Sequence, residues 1–257
     1  MADYRNAGTR TVPAAGTRAD IDQGLRSYML KVYNLMAGGL ALTGVAAYVL
    51  YSFATTTDPS QSVGQIGGVY LTQLGGVLYT SPLRWVLMLA PLAMVFFLSF
   101  RVHKMSVQAA QATFWTYAAM VGLSLSTIFL VYTQESITQV FFITAASFGA
   151  LSLWGYTTKR DISGWGSFLF MGVIGIVIAM VVNIFLASPA LQFAISAIGV
   201  LVFAGLTAYD TQQIKEMYYE GDGSAVMGRK AVMGALRLYL DFLNMFLFLL
   251  QLFGNRN

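Results

Sequence analysis

Two aspartates lie in apolar stretches of the sequence, where an ionisable side chain is unusual. Asp241 falls inside LRLYLDFLNMFLFLLQLFG, and Asp210 closes the preceding apolar stretch in LTAYDTQQIK. A carboxylate in hydrocarbon costs several kcal/mol unless it is protonated or paired, so such a residue normally faces the interior of a helix bundle. These two side chains are therefore the first candidates for a functional site.

The residues around Asp241 place further polar groups on the same side of a helix. Arg237 lies four residues before Asp241 and Asn244 three residues after it. Residues three and four apart share one helix face, so all three belong to one polar edge of an otherwise apolar helix. We interpret Arg237 as a charge partner and Asn244 as a polar contact in an aqueous path.

The spacing leaves two arrangements open for the aspartates. If both helices continue past their apolar ends, Asp210 and Asp241 come within hydrogen-bonding reach and titrate as a coupled pair that responds to pH. Alternatively, Arg237 neutralises Asp241 as a structural pair, and Asp210 lies among solvated headgroups. Arg101, at the end of another apolar stretch, either reaches the Asp210 region or anchors its helix at the interface.

The side chains that are missing exclude most enzymes. The chain has no cysteine and one histidine, His103, which is too few for a thiolate, zinc or intramembrane metalloprotease site. It also has no phosphate-binding loop or nucleophile elbow, so we expect neither an enzyme nor a bound cofactor. Calcium prefers roughly six to eight oxygen ligands, so Asp210, Asp241 and Asn244 are expected to bind it only weakly and transiently.

The composition indicates an all-α membrane protein. Hydrophobic residues make up 57% of the 257 residues and charged residues 10%, against about 25% charged in soluble domains. A spanning helix needs about 20 apolar residues. Seven stretches predict a seven-transmembrane-helix bundle, and the second reaches this length only if residues 83–84 or Arg101 are included: 30–54, 85–100, 110–132, 137–154, 167–186, 191–209 and 232–253.

The basic residues predict the orientation and the domain limits. With a cytoplasmic N-terminus, thirteen of the fifteen Lys and Arg residues fall on the cytoplasmic side, and the C-terminus lies outside. The net charge of +4 is thereby explained without a nucleic-acid partner. We divide the chain into a polar cytoplasmic tail, residues 1–26, and a transmembrane domain, residues 27–257. The loop 55–82 is rich in Gly, Ser and Thr and is expected to contain no span.

The last two apolar stretches resemble the C-terminal signature of the Bax inhibitor (transmembrane Bax inhibitor motif) family. In that family a Tyr-Asp pair ends the sixth helix and an LYLDFLN-like run forms the seventh; here these are Tyr209 with Asp210, and residues 238–244. The resemblance implies a bundle with the seventh helix central and a calcium leak gated by protonation of the aspartate pair. It also implies that Arg101 latches toward Asp210. An acidic residue of some relatives has no counterpart in 85–100.

The same resemblance implies a second function and a location. Some bacterial relatives are thought to restrain a membrane-bound ATP-dependent protease, and the tail 1–23 is then the expected working part. The polar N-terminus and short loops are compatible with the bacterial inner membrane. The partners expected from the sequence are thus calcium ions as the transported species, the lipid bilayer and, in the alternative, a membrane protease.

Overall fold

The protein is an all-α membrane protein, as the sequence predicts. The computed structural model describes residues 18–257, with side chains from residue 23 onward. Within this part of the chain, seven helices are long and apolar enough to cross a membrane. Most of the predicted tail, and with it the working part of the protease hypothesis, lies outside the described residues, but residues 18–26 already belong to the first helix.

Six of the predicted spans each lie in one helix, and the third, 110–132, is divided between two consecutive helices. The helices of the first, sixth and seventh predicted spans continue furthest beyond the predicted ends. The helices are α1 (Arg18–Ala54), α2 (Gln73–Thr80), α3 (Leu83–Arg101), α4 (Val107–Leu125), α5 (Ile128–Val131), α6 (Gln134–Thr157), α7 (Trp165–Leu186), α8 (Pro189–Glu216) and α9 (Ser224–Phe253). Pro59–Gln61 and Val102–Lys104 form single 3₁₀ turns.

A tight turn fixes α7 and α8 as antiparallel neighbours. Ala187 ends α7 in the left-handed region, at φ 46°. The Ser188 side chain then accepts a hydrogen bond from the Leu191 amide, and Pro189 occupies the first turn of α8. This combination of a hydroxyl cap and an early proline is typical of helix starts.

The loop 55–82 contains no span, as predicted, but it forms a small sheet that the sequence did not predict. Strands β1 (Thr55–Thr56), β2 (Gly64–Ile66) and β3 (Val69–Leu71) pair antiparallel in the order β1-β3-β2. Gly67 and Gly68 join β2 to β3 with φ 56° and 84°. Glycine adopts positive φ without steric cost, and two-residue hairpin turns require it.

Helix α9 is the most buried of the spanning helices. In its most apolar part 72% of the residues are buried, against 11% in α3 and in α7. Its main contacts are with α1, α4, α6 and α8. A ring of six helices around it therefore stays a prediction, but polar groups on α9 face protein over most of its length.

Gly155 allows α6 to approach α8 close to Asp210. A Cβ at this position would lie 3.0 Å from Ala208 Cα and even closer to the Ala208 carbonyl oxygen. Gly149 lies on the same helix, and a Cβ there would meet nothing within 4 Å. The pair therefore provides a test and its matched control.

We predict that Gly155→Ala destabilises the protein by roughly 1–3 kcal/mol, the usual cost of overpacking a helix contact. Gly149→Ala should change stability little or raise it slightly, because alanine favours helix. Thermal unfolding of the purified variants in detergent measures both. Equal midpoints for the two variants would contradict a close α6–α8 contact.

Candidate functional site

The α8–α9 contact brings Asp210 and Asp241 together. Their carboxyl groups lie close enough to interact with each other. Asp241 is only 4% exposed, and its Oδ2 is buried with no hydrogen-bond partner. A buried acceptor without a donor is costly. A proton held between the two carboxyl groups removes that cost, so the geometry fits a proton-sharing pair.

Arg237 contacts Asp210 rather than Asp241. Its Nη1 lies 3.8 Å from Asp210 Oδ1, and the side chains are 42% and 14% exposed, respectively. At this distance the contact is an ion pair without a short hydrogen bond. Asp210 therefore has a cation beside it, whereas Asp241 makes no ion pair within the described residues.

The alternative of an Arg237–Asp241 structural pair, with Asp210 among headgroups, is wrong. Asp210 is largely buried and is itself the ion-pair partner of Arg237. Side chains on a helix lean toward its N-terminus. The long Arg237 side chain is therefore directed away from Asp241, which follows it in α9, and toward the facing end of α8.

Two other residues expected at the site are not in contact with the carboxyl groups by hydrogen bond or ion pair. Asn244 donates from Nδ2 to the Leu240 carbonyl oxygen of its own helix, at 2.8 Å. Arg101 is exposed at the end of α3 and makes no ion pair in the part of the chain with described side chains. The latch at Arg101 and the path at Asn244 stay predictions.

A chain of hydroxyl groups beside Asp210 was missed by the sequence interpretation. Tyr33 Oη lies 2.7 Å from Ser152 Oγ, and Ser152 Oγ lies 2.9 Å from Thr211 Oγ1. Thr211 also donates to the Thr207 carbonyl oxygen at 2.7 Å. The chain links α1, α6 and α8, and Thr211 follows Asp210 directly in the sequence. The only signal in the sequence was the pair of threonines one turn apart in LTAYDTQ.

Tyr28 provides a second buried polar group near the site. Its side chain is 3% exposed, and its hydroxyl has no hydrogen-bond partner. The ring packs against Tyr218 with centroids 5.9 Å apart. Tyr28 lies close enough to Arg237 for the two groups to interact electrostatically. Helix α1 therefore also contributes a residue near the site.

Two aspartates outside the spans do not titrate near neutral pH. Hydrogen bonds from the Ser163 hydroxyl and amide hold the pKa of Asp161 below its usual value. Hydrogen bonds from the Ser60 hydroxyl and amide do the same for the pKa of Asp58. Both carboxylates are therefore ionised throughout the range from about pH 5 to 8, since an unperturbed aspartate already titrates near 4.

The donor set at the pair suits a weakly held cation at most. Among the residues with described side chains, no three His, Asp or Glu side chains are grouped so as to hold a metal ion. Two carboxyl groups with nearby hydroxyls fall short of the roughly six to eight oxygens of a tight calcium site.

These features define a multi-span helical membrane protein with an acid pair between its last two spans. The profile of the family described as inhibitor of apoptosis-promoting Bax1 matches residues 25–257. The chain belongs to this Bax inhibitor family of membrane proteins.

Bacterial relatives match along almost the whole chain. A protein of Caulobacter vibrioides is 44% identical over 255 residues, which cover 99% of this chain and 98% of that protein. A protein of Rickettsia prowazekii, RP147, is 44% identical over 100% of this chain and 99% of its own length. The inner membrane protein YbhL of Escherichia coli is 44% identical over 236 residues, 91% of this chain and 93% of that protein.

We predict that Asp241→Asn stabilises the protein at pH 8 by roughly 1–3 kcal/mol, the usual cost of a buried unpaired polar group. The Asn amide donates to Asp210 as a protonated Asp241 would. The gain should shrink toward pH 5, because the wild-type pair then holds its proton. Thermal unfolding at both pH values measures the difference.

Asp161→Asn is the control for the Asp241→Asn experiment, because Asp161 is exposed and stays ionised between these pH values. Its effect on the unfolding midpoint should be the same at pH 8 and pH 5. An Asp241→Asn protein that is equally destabilised at both pH values would contradict a proton-sharing pair.

Proposed function

We propose that the protein is a pH-sensitive calcium leak of the membrane, gated by protonation of Asp210 and Asp241. The observation that carries the proposal is the buried Asp241 Oδ2 without a donor, within reach of a second carboxyl group. Such a pair is stable only while it holds a proton or a cation. Whether the two carboxyl groups hold a proton or a cation is therefore the basis of the gate.

The ion pair with Arg237 sets the direction of gating. While Asp210 is ionised, it attracts Arg237 across the α8–α9 contact and holds that end of the bundle closed. The first proton is shared by the two carboxyl groups and keeps them together. A second proton neutralises Asp210 and removes its attraction for Arg237. The two helices then separate more easily, so the leak is expected to increase as the pH falls from 8 to 5.

The chemistry of the site favours a divalent cation that passes without being stored. Two carboxylates in a poorly solvated interior match the charge of calcium. Conduction requires binding that is favourable enough for entry and weak enough for exit. The incomplete ligand set is consistent with that requirement.

The name of the Escherichia coli relative, inner membrane protein, supports an inner-membrane location for this chain. The distribution of Lys and Arg supports an N-terminus in the cytoplasm and a C-terminus outside. In this orientation the acid pair lies toward the cytoplasmic half of the bundle, because Asp210 is near the end of α8 that carries Lys215, and the start of α9 that follows carries Arg229 and Lys230.

Calcium flux into dye-loaded liposomes from pH 8 to pH 5 tests the leak. We expect wild-type flux to rise as the pH falls, by up to about tenfold per pH unit on the alkaline side of its midpoint, the limit for a one-proton switch. Asp210→Asn and Asp241→Asn should each flatten the profile, because neither retains a titrating pair. Asp161→Asn should keep it.

Absence of flux above that of empty liposomes at every pH, with folded protein, would reject the leak. The alternative, a membrane protein that modulates an ATP-dependent protease, would then be favoured. Flux that is present but equally pH-dependent in Asp210→Asn and Asp241→Asn would retain the leak and remove the pair as its sensor.

Arg237→Gln tests the direction of gating in the same assay. Loss of the cation beside Asp210 should move the midpoint of the leak to higher pH, by roughly half a unit for a partly exposed ion pair. Arg160→Gln removes an exposed charge away from the pair and should leave the midpoint unchanged. A midpoint that moves to lower pH would reverse the assigned role of Arg237.

A further inference from the structure

A cavity of about 260 Å³ opens beside Arg237 and is lined mainly by basic and apolar side chains. It lies where the 3₁₀ turn after α3 meets the end of α8 and the start of α9. No carboxylate is among its lining residues. His103, Arg229, Lys230 and Arg237 supply the nitrogen donors, and Met217, Met233 and Val226 the apolar wall.

The donors in this cavity outnumber the acceptors that they contact. Lys230 is occupied, because its Nζ pairs with Asp222 and donates to the Met217 carbonyl oxygen at 2.8 Å. Arg229 is half-buried and makes no ion pair with any residue whose side chain is described. Arg237 reaches Asp210 only at 3.8 Å, so its N–H groups retain capacity for a closer acceptor.

Of the three charged side chains in the cavity, Arg229 has no ion-pair partner among the described side chains and Arg237 has one only at 3.8 Å, so both can accept further counter-charge. Cations close together repel each other, and a partly dry wall screens them less than water does. Arginine presents a planar fork of donors that matches the oxygens of a phosphate group. The cavity therefore has the charge and the donor type of an anion site.

We propose that the cavity binds a phosphate-bearing anion, with Arg229 and Arg237 as its principal donors. The anion and Asp210 then compete for the same Arg237 guanidinium. Binding of the anion weakens the Arg237–Asp210 contact, and loss of the Asp210 charge strengthens anion binding, since coupling between two sites is reciprocal. The effect of the anion on a leak rests on the proposed function, whereas its binding does not.

Thermal unfolding of the full chain in a non-ionic detergent, without calcium, tests the binding. Inorganic phosphate is titrated against chloride at equal ionic strength. Wild type and Arg160→Gln should show a saturable rise in midpoint with phosphate. Arg229→Gln should bind roughly tenfold more weakly, as expected for loss of a charged hydrogen bond. Arg229→Lys keeps a cation and should retain most of the rise.

Asp210→Asn provides a second readout in the same titration. It removes the competitor for Arg237 and should bind phosphate about two- to fivefold more tightly, the range expected for releasing a partly exposed ion pair. A general effect of surface charge would not give this gain selectively. Equal or weaker binding by Asp210→Asn would overturn the sharing of Arg237.

A lipid headgroup is the other source of the same chemistry, and nanodiscs distinguish it. If only headgroups fit, free phosphate has no effect, but phosphatidylglycerol raises the midpoint over phosphatidylcholine in wild type and not in Arg229→Gln. That result, or saturable binding of free phosphate, supports the site. No effect of either anion, or an equal loss in Arg229→Gln and Arg160→Gln, overturns it. Since no flux is measured, a failed leak assay leaves this test valid.

Discussion

The contact between two carboxyl groups in the bundle interior is the constraint on which the rest of the site depends. Asp241 is buried and Asp210 largely so, and together they repel each other unless a proton or cation lies between them. The contacts of α6 at Gly155 and Ser152 fix α8, and the packing of α9 against α8 brings the second carboxyl group to the first. Packing that is otherwise ordinary thus maintains an arrangement that is unfavourable by itself.

Arg237 connects this interior pair to the aqueous end of the bundle. Its partly exposed side chain lies 3.8 Å from Asp210 and lines the basic cavity at the start of α9. A single guanidinium therefore faces an acid on one side and a cluster of cations on the other. Its position depends on both, so the charge on Asp210 and the occupancy of the cavity are physically linked.

The sequence predicts the spans and marks Asp210 and Asp241 as site candidates, because both inferences follow from the cost of burying charge. It leaves open whether the two aspartates pair with each other or Asp241 pairs with Arg237 on its own helix face. The ion-pair partner of Arg237 could not be derived from the sequence. Helical spacing places Arg237 one turn from Asp241, and only the packing of α8 against α9 shows that Asp210 is the partner. The Tyr33–Ser152–Thr211 chain joins three helices that are distant in sequence, and hydroxyl residues are common in spans. The sheet in loop 55–82 had only Gly67 and Gly68 as its signal.

The opposite end of α9 is held by groups that do not titrate. Gln251 Oε1 accepts from Gln192 Nε2 at 2.6 Å and from Ser196 Oγ at 2.9 Å. The Asn257 backbone amide donates to the Val131 carbonyl oxygen, which ties the C-terminal residues to the end of α5. These neutral hydrogen bonds keep the same strength between pH 5 and pH 8. A pH-dependent movement of α9 against α8 should therefore be largest at the end with Asp210 and Arg237. The hydrogen bonds of Gln251 with Gln192 and Ser196 would be its fixed point.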